Sequence, residues 1–129
     1  MRRINPTSWN AAFGYDQAQL RPTPAQVLTL AGQGPVDEHG ALVHEDDVTA
    51  QLALTMANVE AVLARGGMDL GDVLKLTIYA VDVDAVLAGY GAITERLAMF
   101  DATPPATLLG VTRLAIPGMA VEIDAVAAR

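Results

Sequence analysis

Residues 104–127, PPATLLGVTRLAIPGMAVEIDAVA, determine the fold predicted for this chain. Residues 107–114 are rich in β-branched and large apolar side chains, which are typical of a strand. Residues 115–118, AIPG, have the chemistry of a turn, because proline presets φ and glycine tolerates positive φ. Residues 120–127 then alternate along the chain and predict a second strand. The stretch therefore predicts two strands around a turn.

The second predicted strand carries two acidic residues among apolar ones. One face holds Val121, Ile123 and Ala125, and the other holds Glu122, Asp124 and Val126. A buried carboxylate without a partner costs several kcal/mol or takes up a proton, so an acid in so apolar a strand needs an explanation. A solvated sheet face is one interpretation, and a functional carboxylate is the other.

Composition limits the classes of protein that the chain can represent. Its 129 residues are 52% hydrophobic and predict one domain, residues 1–129, with an ample core. The absence of cysteine excludes disulfides and thiolate nucleophiles, and a net charge of −7 argues against nucleic acid as a partner. No apolar run follows the two N-terminal arginines, so we expect neither a signal peptide nor a membrane segment, and a cytoplasmic location by default.

Residues 1–46 predict short strands and loops. We expect an edge strand at residues 2–5, a loop at 9–15, and two antiparallel strands, 17–21 and 26–31, around Pro22-Thr23-Pro24. Residues 32–35, GQGP, lack the lysine and the following helix of a phosphate-binding loop. His39 and His44 have no correctly spaced partner, so no metal site is predicted.

The middle of the chain predicts two helices separated by a strand. Residues 47–65 have an amphipathic pattern, with Asp46 or Asp47 as the N-cap and Gly66-Gly67 at the end. Residues 73–81 alternate as a strand, with Leu74, Leu76, Ile78 and Ala80 on one face. A second helix begins after Asp82 or Asp84, carries the apolar stripe from Val86 to Phe100, and stops before Pro104.

This order of elements predicts an α+β fold. Right-handed crossovers place both helices on one face of a single sheet. The opposite face then carries Lys75, Thr77, Tyr79, Glu122 and Asp124 together with apolar neighbours. Such a face is too apolar for plain solvent exposure and too polar for a closed core. We therefore predict that another copy of the chain covers it.

Six segments resemble, in the correct order, the sequence signature of the Rid family of reactive intermediate deaminases, also called YjgF-like proteins. The C-terminal match is Val121-Glu122-Ile123-Asp124-Ala125-Val126-Ala127, after Gly110-Val111 and Arg113-Leu114. The other matches are Tyr15-Asp16-Gln17-Ala18, Leu30-Ala31-Gly32-Gln33-Gly34-Pro35, Gln51 with Asn58, and Asp72-Val73-Leu74-Lys75. The resemblance covers nearly the whole chain.

The resemblance implies a chorismate-mutase-like α+β domain, with a single mixed sheet and two helices packed on one face. It also implies a homotrimer in which three sheets form a central barrel. Small-molecule ligands then bind in clefts between subunits, and neither a cofactor, a nucleic acid nor a membrane is implied. These expectations agree with the uncovered sheet face predicted from the pattern of residues.

The resemblance also assigns site residues. In the family, an arginine of a P-A-R motif clamps the substrate carboxylate, and the glutamate of V-E-I-E acts on the hydrolytic water. Glu122 corresponds to that glutamate and is the catalytic candidate. With Gly110 as the anchor, Ala106 takes the place of the arginine. The substrate-binding candidates are Tyr15, Ala31 in place of a serine, Gly32, Gly89 in place of an asparagine, Ala106 and Thr107.

Two functions remain open at this point. The first is hydrolysis of a small imine, enamine or related C–N compound, with Glu122 activating water. The second is a trimer that binds a small ligand without chemistry, since the carboxylate anchor is lost. A ribonuclease activity, sometimes attached to the family, is disfavoured by the acidic charge balance. Arg113 is expected to be structural or interfacial, because seven residues of strand span about 23 Å from Ala106.

Overall fold

Two β-sheets and three α-helices form the chain, in a computed structural model that describes all of residues 1–129. The strands are β1 Arg2–Ile4, β2 Ala18–Leu20, β3 Val27–Gln33, β4 Val73–Ala80, β5 Ala106–Gly110 and β6 Val121–Ala128. The helices are α1 Val48–Arg65, α2 Val83–Ala88 and α3 Gly91–Ala98, and short 3₁₀ turns lie at Ala11–Phe13 and Leu70–Asp72. No helix has both the length and the apolar character needed to cross a membrane.

The main sheet has four strands in the order β3-β6-β4-β5. β6 is antiparallel to both β3 and β4, whereas β5 is parallel to β4. The helices pack on one face of this sheet, and the shared core is formed by α1, β4 and β6. The mixed sheet with a single helical layer confirms the predicted α+β class.

Neither predicted hairpin forms. β5 stops at Gly110, and β5 and β6 lie on opposite sides of β4 rather than beside each other. The parallel crossover through α2 and α3 places β5 at the outer edge of β4, which leaves the other edge of β4 for β6. Similarly, β2 pairs with β1 and β3 pairs with β6. Pro22 and Pro24 fix φ and donate no backbone hydrogen bond, so this segment connects two sheets instead of making a tight turn.

Helix α1 forms as predicted. The Asp47 carboxylate caps it by accepting a hydrogen bond from the backbone N–H of Ala50, and Gly67 follows its end with φ of 74°. Leu52, Met56, Val59 and Leu63 are completely buried along one side. This apolar stripe attaches the helix to β3 and β6.

The second predicted helix is divided into α2 and α3 at Gly89-Tyr90. Asp82 caps α2 through the N–H of Ala85. Gly89 lies so close to α1 that a Cβ there would be 2.8 Å from Thr49 Oγ1. The absence of a side chain at Gly89 therefore allows the end of α2 to approach α1 closely.

A β-bulge in β4 changes one assignment of faces. Val73 is paired with Ala127, but Lys75 is paired with Val126, so Leu74 is the extra residue. Val73 is completely buried, whereas Leu74 is half-buried. The alternation predicted from the sequence is correct from Leu76 onward and wrong for Leu74, because a pattern of period two does not register an inserted residue.

Gln51 connects helix α1 to the connection between β5 and β6. Its Nε2 donates to the carbonyls of His44 and Gly118, and its Oε1 accepts from Ala120 N–H at 2.7 Å. The side chain is 1% exposed, so these bonds replace the water that it loses on burial. Gln51 thus holds the segment that leads into β6.

Asn58 lies two turns further along α1, on nearly the same side of the helix, and has an equivalent role. Its Nδ2 donates to the carbonyls of Gly34 and Val36 at 2.8 and 3.0 Å. It thereby fixes the turn that follows β3. Gln51 and Asn58 therefore both hold loops against α1 through buried hydrogen bonds.

Thr55 is the exception among the buried polar residues of α1. Its hydroxyl is completely buried and has no hydrogen-bond partner. We expect Thr55→Val to raise the free energy of unfolding by about 1 kcal/mol, because the change removes an unpaired hydroxyl and keeps the branched shape. Urea denaturation of the two proteins measures the effect. Thr55→Ser is the control and should be less stable than the wild type; a destabilised Thr55→Val would contradict the expectation.

Candidate functional site

The face of the main sheet opposite the helices, hereafter the open face, carries the catalytic candidate Glu122. Tyr79 lies opposite Glu122 across β4 and β6, and Thr77 lies opposite both Asp124 and Thr107. All of these side chains are half-buried or exposed, whereas their neighbours along each strand are turned toward the helices. The predicted mixed-polarity face is therefore present.

Glu122 lies against the backbone of Gly32. β3 is irregular between Leu30 and Gln33, and this irregularity brings Gly32 under the Glu122 side chain. A Cβ at Gly32 would overlap Glu122 Oε1 and lie 2.7 Å from its Cδ. Glycine at this position therefore makes room for the carboxylate, which also takes part in none of the ion pairs of the chain.

The other charged groups of the open face have partners. Tyr79 Oη donates to Asp124 Oδ2 at 2.7 Å, and Lys75 Nζ donates to Thr107 Oγ1 at 2.7 Å. The hydrogen bond to Asp124, then burial, then the charges of Asp124 and Glu122 raise the pKa of Tyr79. Asp124 and Lys75 are thus occupied, and Glu122 is the carboxylate left available on this face.

Ala106 and Thr107 face opposite sides of the sheet. Ala106 pairs with Leu76 and packs against the core, whereas Thr107 pairs with Thr77 on the open face. Counted forward from Pro105, Thr107 occupies the third position of a P-A-x motif. Thr107, rather than Ala106, is therefore the residue that shares a face with Glu122, and neither of the two is an arginine.

Ala106 instead lines an apolar groove beside β5, hereafter the aromatic groove. The groove has a volume of about 270 Å³ and also contains Tyr15. Its other lining residues are Trp9, Phe13, Leu87, Tyr90 and Leu108. Trp9 and Phe13 are 62% and 50% exposed, so the groove opens to the surface.

The remaining substrate-binding candidates, Gly89 and Ala31, belong neither to the aromatic groove nor to the contact between Gly32 and Glu122. Gly89 faces Thr49 and Leu52 of α1, and a side chain there would enter the helix contact rather than the aromatic groove. Ala31 is exposed in the irregular part of β3, directly before Gly32. Within one chain, the sheet separates Glu122 and Gly32 from Tyr15 and Ala106.

Arg113 lies in the irregular segment between β5 and β6. Because β5 ends at Gly110, the distance expected along a continuous strand does not apply to Arg113. Its side chain lines a shallow cleft of about 450 Å³ with Val81, Asp82 and Leu114. The role proposed for Arg113 stays a prediction.

A network around Asp16 holds the N-terminal segment that supplies Tyr15. The carboxylate accepts hydrogen bonds from Asn5, Gln19 and Thr103, the shortest at 2.6 Å, and Arg3 lies 3.5 Å away. Burial alone would raise the pKa of Asp16, but these bonds and the Arg3 charge outweigh it and lower the pKa below 3.8. Asp16 thus connects β1 and β2 to the segment before β5.

This network predicts a pH dependence of stability. Since the pKa of Asp16 is lower in the folded than in the unfolded state, its contribution is complete above the unfolded pKa of about 4 and is lost as the pH falls through the folded value. We expect Asp16→Asn to destabilise the chain at pH 7, with a difference from wild type that shrinks on acidification below about pH 4. Thermal unfolding across pH measures it, and a constant difference would contradict it.

Sequence reasoning missed the aromatic groove and the contact between Gly32 and Glu122. The sequence predicts a loop at residues 9–15, although these residues include three aromatic side chains in a chain that is only 5% aromatic. That concentration was the available signal. The contact of Gly32 has no sequence signal, because it depends on the local irregularity of β3.

Comparison with known proteins places the chain in a family. A family model described as endoribonuclease L-PSP matches residues 7–129. The chain belongs to the Rid family. It is 36% identical over 107 residues to a 2-iminobutanoate/2-iminopropanoate deaminase of Salmonella typhimurium, and this alignment covers 80% of each chain. It is also 32% identical over 114 residues to protein DfrA of Myxococcus xanthus, covering 88% of this chain and 83% of the relative.

A solved structure has the same fold. The Rid-family protein YyfB of Yersinia pestis, a protein of unknown function, superimposes with a TM-score of 0.84 at 33% identity over 99% of this chain and 98% of that one. The Rid-family fold of the main sheet and its helices is thereby confirmed. The activity of the Salmonella relative belongs to that protein, and this Rid-family chain lacks an arginine at both Ala106 and Thr107.

Proposed function

We propose that the chain hydrolyses a small imine, enamine or related C–N compound, with Glu122 as the general base that activates water. The observation that supports this most is the unpaired Glu122 carboxylate, held against Gly32 on the open face. A carboxylate that no cation neutralises keeps its lone pairs available to accept a proton from water. The Rid-family membership supports the same class of reaction.

The proposed reaction needs only water and the substrate. Glu122 accepts a proton from water while the water oxygen bonds to the carbon of the protonated imine, and the π electrons of C=N move to nitrogen. The proton on Glu122 then passes to that nitrogen. The C–N bond breaks, and the released ammonia or amine takes up the hydroxyl proton, so the products are a carbonyl compound and an ammonium ion.

Several copies of the chain complete the proposed site. Glu122 and Thr107 lie on the open face, while Tyr15 lies in the aromatic groove with Ala106 and Leu108, so one chain does not bring them together. The open face also exposes Leu109 and Val27, which a second copy would cover. We propose the homotrimer implied by the family. Light scattering at micromolar concentration should give three times the 13.5 kDa chain mass, and a monomer mass would reject it.

A second candidate is a trimer that binds a small ligand without chemistry. The observation that favours it is the absence of an arginine at both Ala106 and Thr107. Without a bidentate clamp, a site can retain affinity for an apolar ligand while losing the orientation that hydrolysis needs. The two functions differ in what Glu122 does, and this difference can be measured.

The test is a screen of imines and other hydrolysable C–N compounds with wild type, Glu122→Gln and Asp124→Asn. We expect Glu122→Gln to lower kcat by roughly 10²–10⁴-fold on any substrate that the wild type hydrolyses. Asp124→Asn is the control, because its side-chain oxygen still accepts the hydrogen bond from Tyr79. Equal rates for wild type and Glu122→Gln would reject the general-base role, and binding without turnover would favour the second candidate.

A further inference from the structure

A cavity of about 560 Å³ lies where the connection between the two sheets meets the start of β4 and the end of β6, hereafter the inter-sheet cavity. It shares no lining residue with the aromatic groove. Ala128 lines it and follows Glu122 by six residues on β6, which is about 20 Å along a strand. The cavity is therefore separate from the proposed hydrolytic site.

The β-bulge of β4 gives the inter-sheet cavity part of its apolar lining. Leu74, the extra residue of the bulge, is half-buried and lines the cavity, whereas Val73 before it joins the core. Pro22, Pro24 and Ala128 add further apolar surface. Bulges often redirect a side chain beside a functional site. The cavity therefore offers an apolar surface to the body of a ligand.

The Arg21 guanidinium lines the same cavity and is held in a fixed position. Its Nε and Nη2 donate to Gln19 Oε1 at 3.3 and 2.9 Å, and Nη2 also donates to the carbonyl of Val73 at 3.1 Å. The Gln19 amide is itself fixed, because its Nε2 donates to Asp16 and to the carbonyl of Thr103. Arg21 takes part in none of the ion pairs of the chain. Both N–H groups of its Nη1 are thus left for a ligand.

The second guanidinium of the lining is already neutralised. Arg129 Nη2 lies 3.3 Å from Asp72 Oδ2, and its Nη1 donates to the carbonyl of Gly67. No acidic side chain belongs to the lining. One uncompensated cation beside an apolar surface matches a ligand with one negative charge and an apolar body. A pair of N–H groups on a guanidinium suits carboxylate oxygens in particular.

We propose that the inter-sheet cavity binds a small apolar monocarboxylate. The carboxylate accepts hydrogen bonds from Arg21 Nη1, and the apolar body lies against Leu74 and the two prolines. A volume of about 560 Å³ accommodates a small organic molecule. The inference goes beyond the proposed hydrolysis, because binding here does not require Glu122. An inorganic anion and a second copy of the chain are the competing occupants.

Three probes separate the contribution of charge from that of the apolar body. Cyclohexanecarboxylate and cyclohexylmethanol share a ring and differ in charge, and acetate keeps the charge without the ring. In calorimetry at constant ionic strength, we expect the ring carboxylate to bind about tenfold more tightly than the alcohol, since hydrogen bonds to a charged group are stronger. Acetate should bind more weakly than the ring carboxylate, because it leaves the apolar surface uncovered.

The position of the bound probe is measured by NMR on the isotope-labelled wild type. Cyclohexanecarboxylate should shift the amide signals of Arg21, Leu74 and Ala128, and not that of Glu122. Glu122→Gln should bind it as the wild type does, so failure of the hydrolysis proposal leaves this result unaffected. Shifts centred on Glu122 would overturn the proposal. So would the absence of binding, which would indicate a cavity filled by another copy.

Variants identify the group that recognises the charge. Arg21→Met removes the guanidinium, keeps an apolar stem and should abolish the preference for the carboxylate over the alcohol. Arg65→Met is the matched control, because it changes the net charge equally at an exposed residue outside the cavity. Thermal unfolding checks that both variants fold. Equal affinity of the wild type for carboxylate and alcohol, equal effects of the two variants, or acetate binding as tightly as the ring carboxylate would each contradict the proposal.

Discussion

Imines that carry a carboxylate, such as 2-iminobutanoate, should be hydrolysed by this chain with a kcat/KM roughly two to four orders of magnitude below that of an arginine-bearing relative. The carboxylate must leave water to enter a cleft, and no arginine at Ala106 or Thr107 pairs with it. Two charge-assisted hydrogen bonds contribute about 3–5 kcal/mol together, which corresponds to that range. Repulsion from the Glu122 carboxylate acts in the same direction.

Lys75 does not replace the missing clamp. Its ammonium group bonds to Thr107, and a single point charge on a flexible stem cannot form the two parallel bonds of a guanidinium. The D-V-V-K motif of the family also contains this lysine alongside the arginine, so Lys75 is no compensation for its loss. Lys75→Met should therefore change the rate on 2-iminobutanoate by much less than the loss of the arginine does.

The two faces of β5 supply a matched pair of variants for this prediction. Thr107→Arg adds a guanidinium on the face of Glu122, and Ala106→Arg adds one in the aromatic groove beside Tyr15. Recovery of part of the rate by one of the two variants identifies the position from which a clamp reaches the substrate. The imine is generated in the assay with an amino-acid oxidase, and its lifetime is followed. A wild-type rate close to that of the arginine-bearing relative would contradict the expectation, as would recovery by neither variant.

Gly32→Ala should reduce hydrolysis nearly as much as Glu122→Gln, by roughly 10²–10⁴-fold, although it leaves every charge in place. The added Cβ would overlap Glu122 Oε1, so the carboxylate must move away from its position. Gly32 does not have a positive φ, and alanine therefore brings no backbone strain. The rate is measured on the best substrate of the wild type, and a crystal structure of the variant shows the displaced carboxylate.

Gly34→Ala is the matched control for Gly32→Ala. The new methyl group would meet the flexible end of Met119, 2.7 Å from Cε, and not Glu122. Its activity should therefore stay near that of the wild type. Adding Gly32→Ala to Glu122→Gln should cause little further loss, because both changes remove the same function. An unchanged rate in Gly32→Ala, or additive losses in the double variant, would show that the position of Glu122 does not matter.

Local patterns predicted the elements of this fold well, but not how the strands pair. The alternation of Val121, Glu122 and Ile123 and the stripe of α1 depend on residues a few positions apart, which the sequence displays directly. Pairing joins β3 to β6 and β5 to β4 across long separations. The choice between a hairpin and these partners depends on the crossover through α2 and α3, which no local signal of residues 104–127 contains.

The candidate site was predicted in part for the same reason. Glu122 lies on the uncovered face, as the alternation required. The choice between Ala106 and Thr107 as the position of the missing arginine, however, depends on a shift of one residue in the alignment. Such a shift moves a side chain to the other face of a sheet. Aligning the motif on Gly110 selects Ala106, and aligning it on Pro105 selects Thr107. Only the pairing of β5 with β4 shows which face of the sheet each residue occupies.

The central place of β6 has a consequence for the synthesis of the chain. β6 lies between β3 and β4 in the sheet, yet it is translated after every other helix and strand. Until it leaves the ribosome, β3 has no partner in the main sheet and one edge of β4 is uncovered, and unpaired edges promote association between chains. Nascent chains therefore expose these edges until translation of β6 is complete, and a net charge of −7 opposes their association during that time.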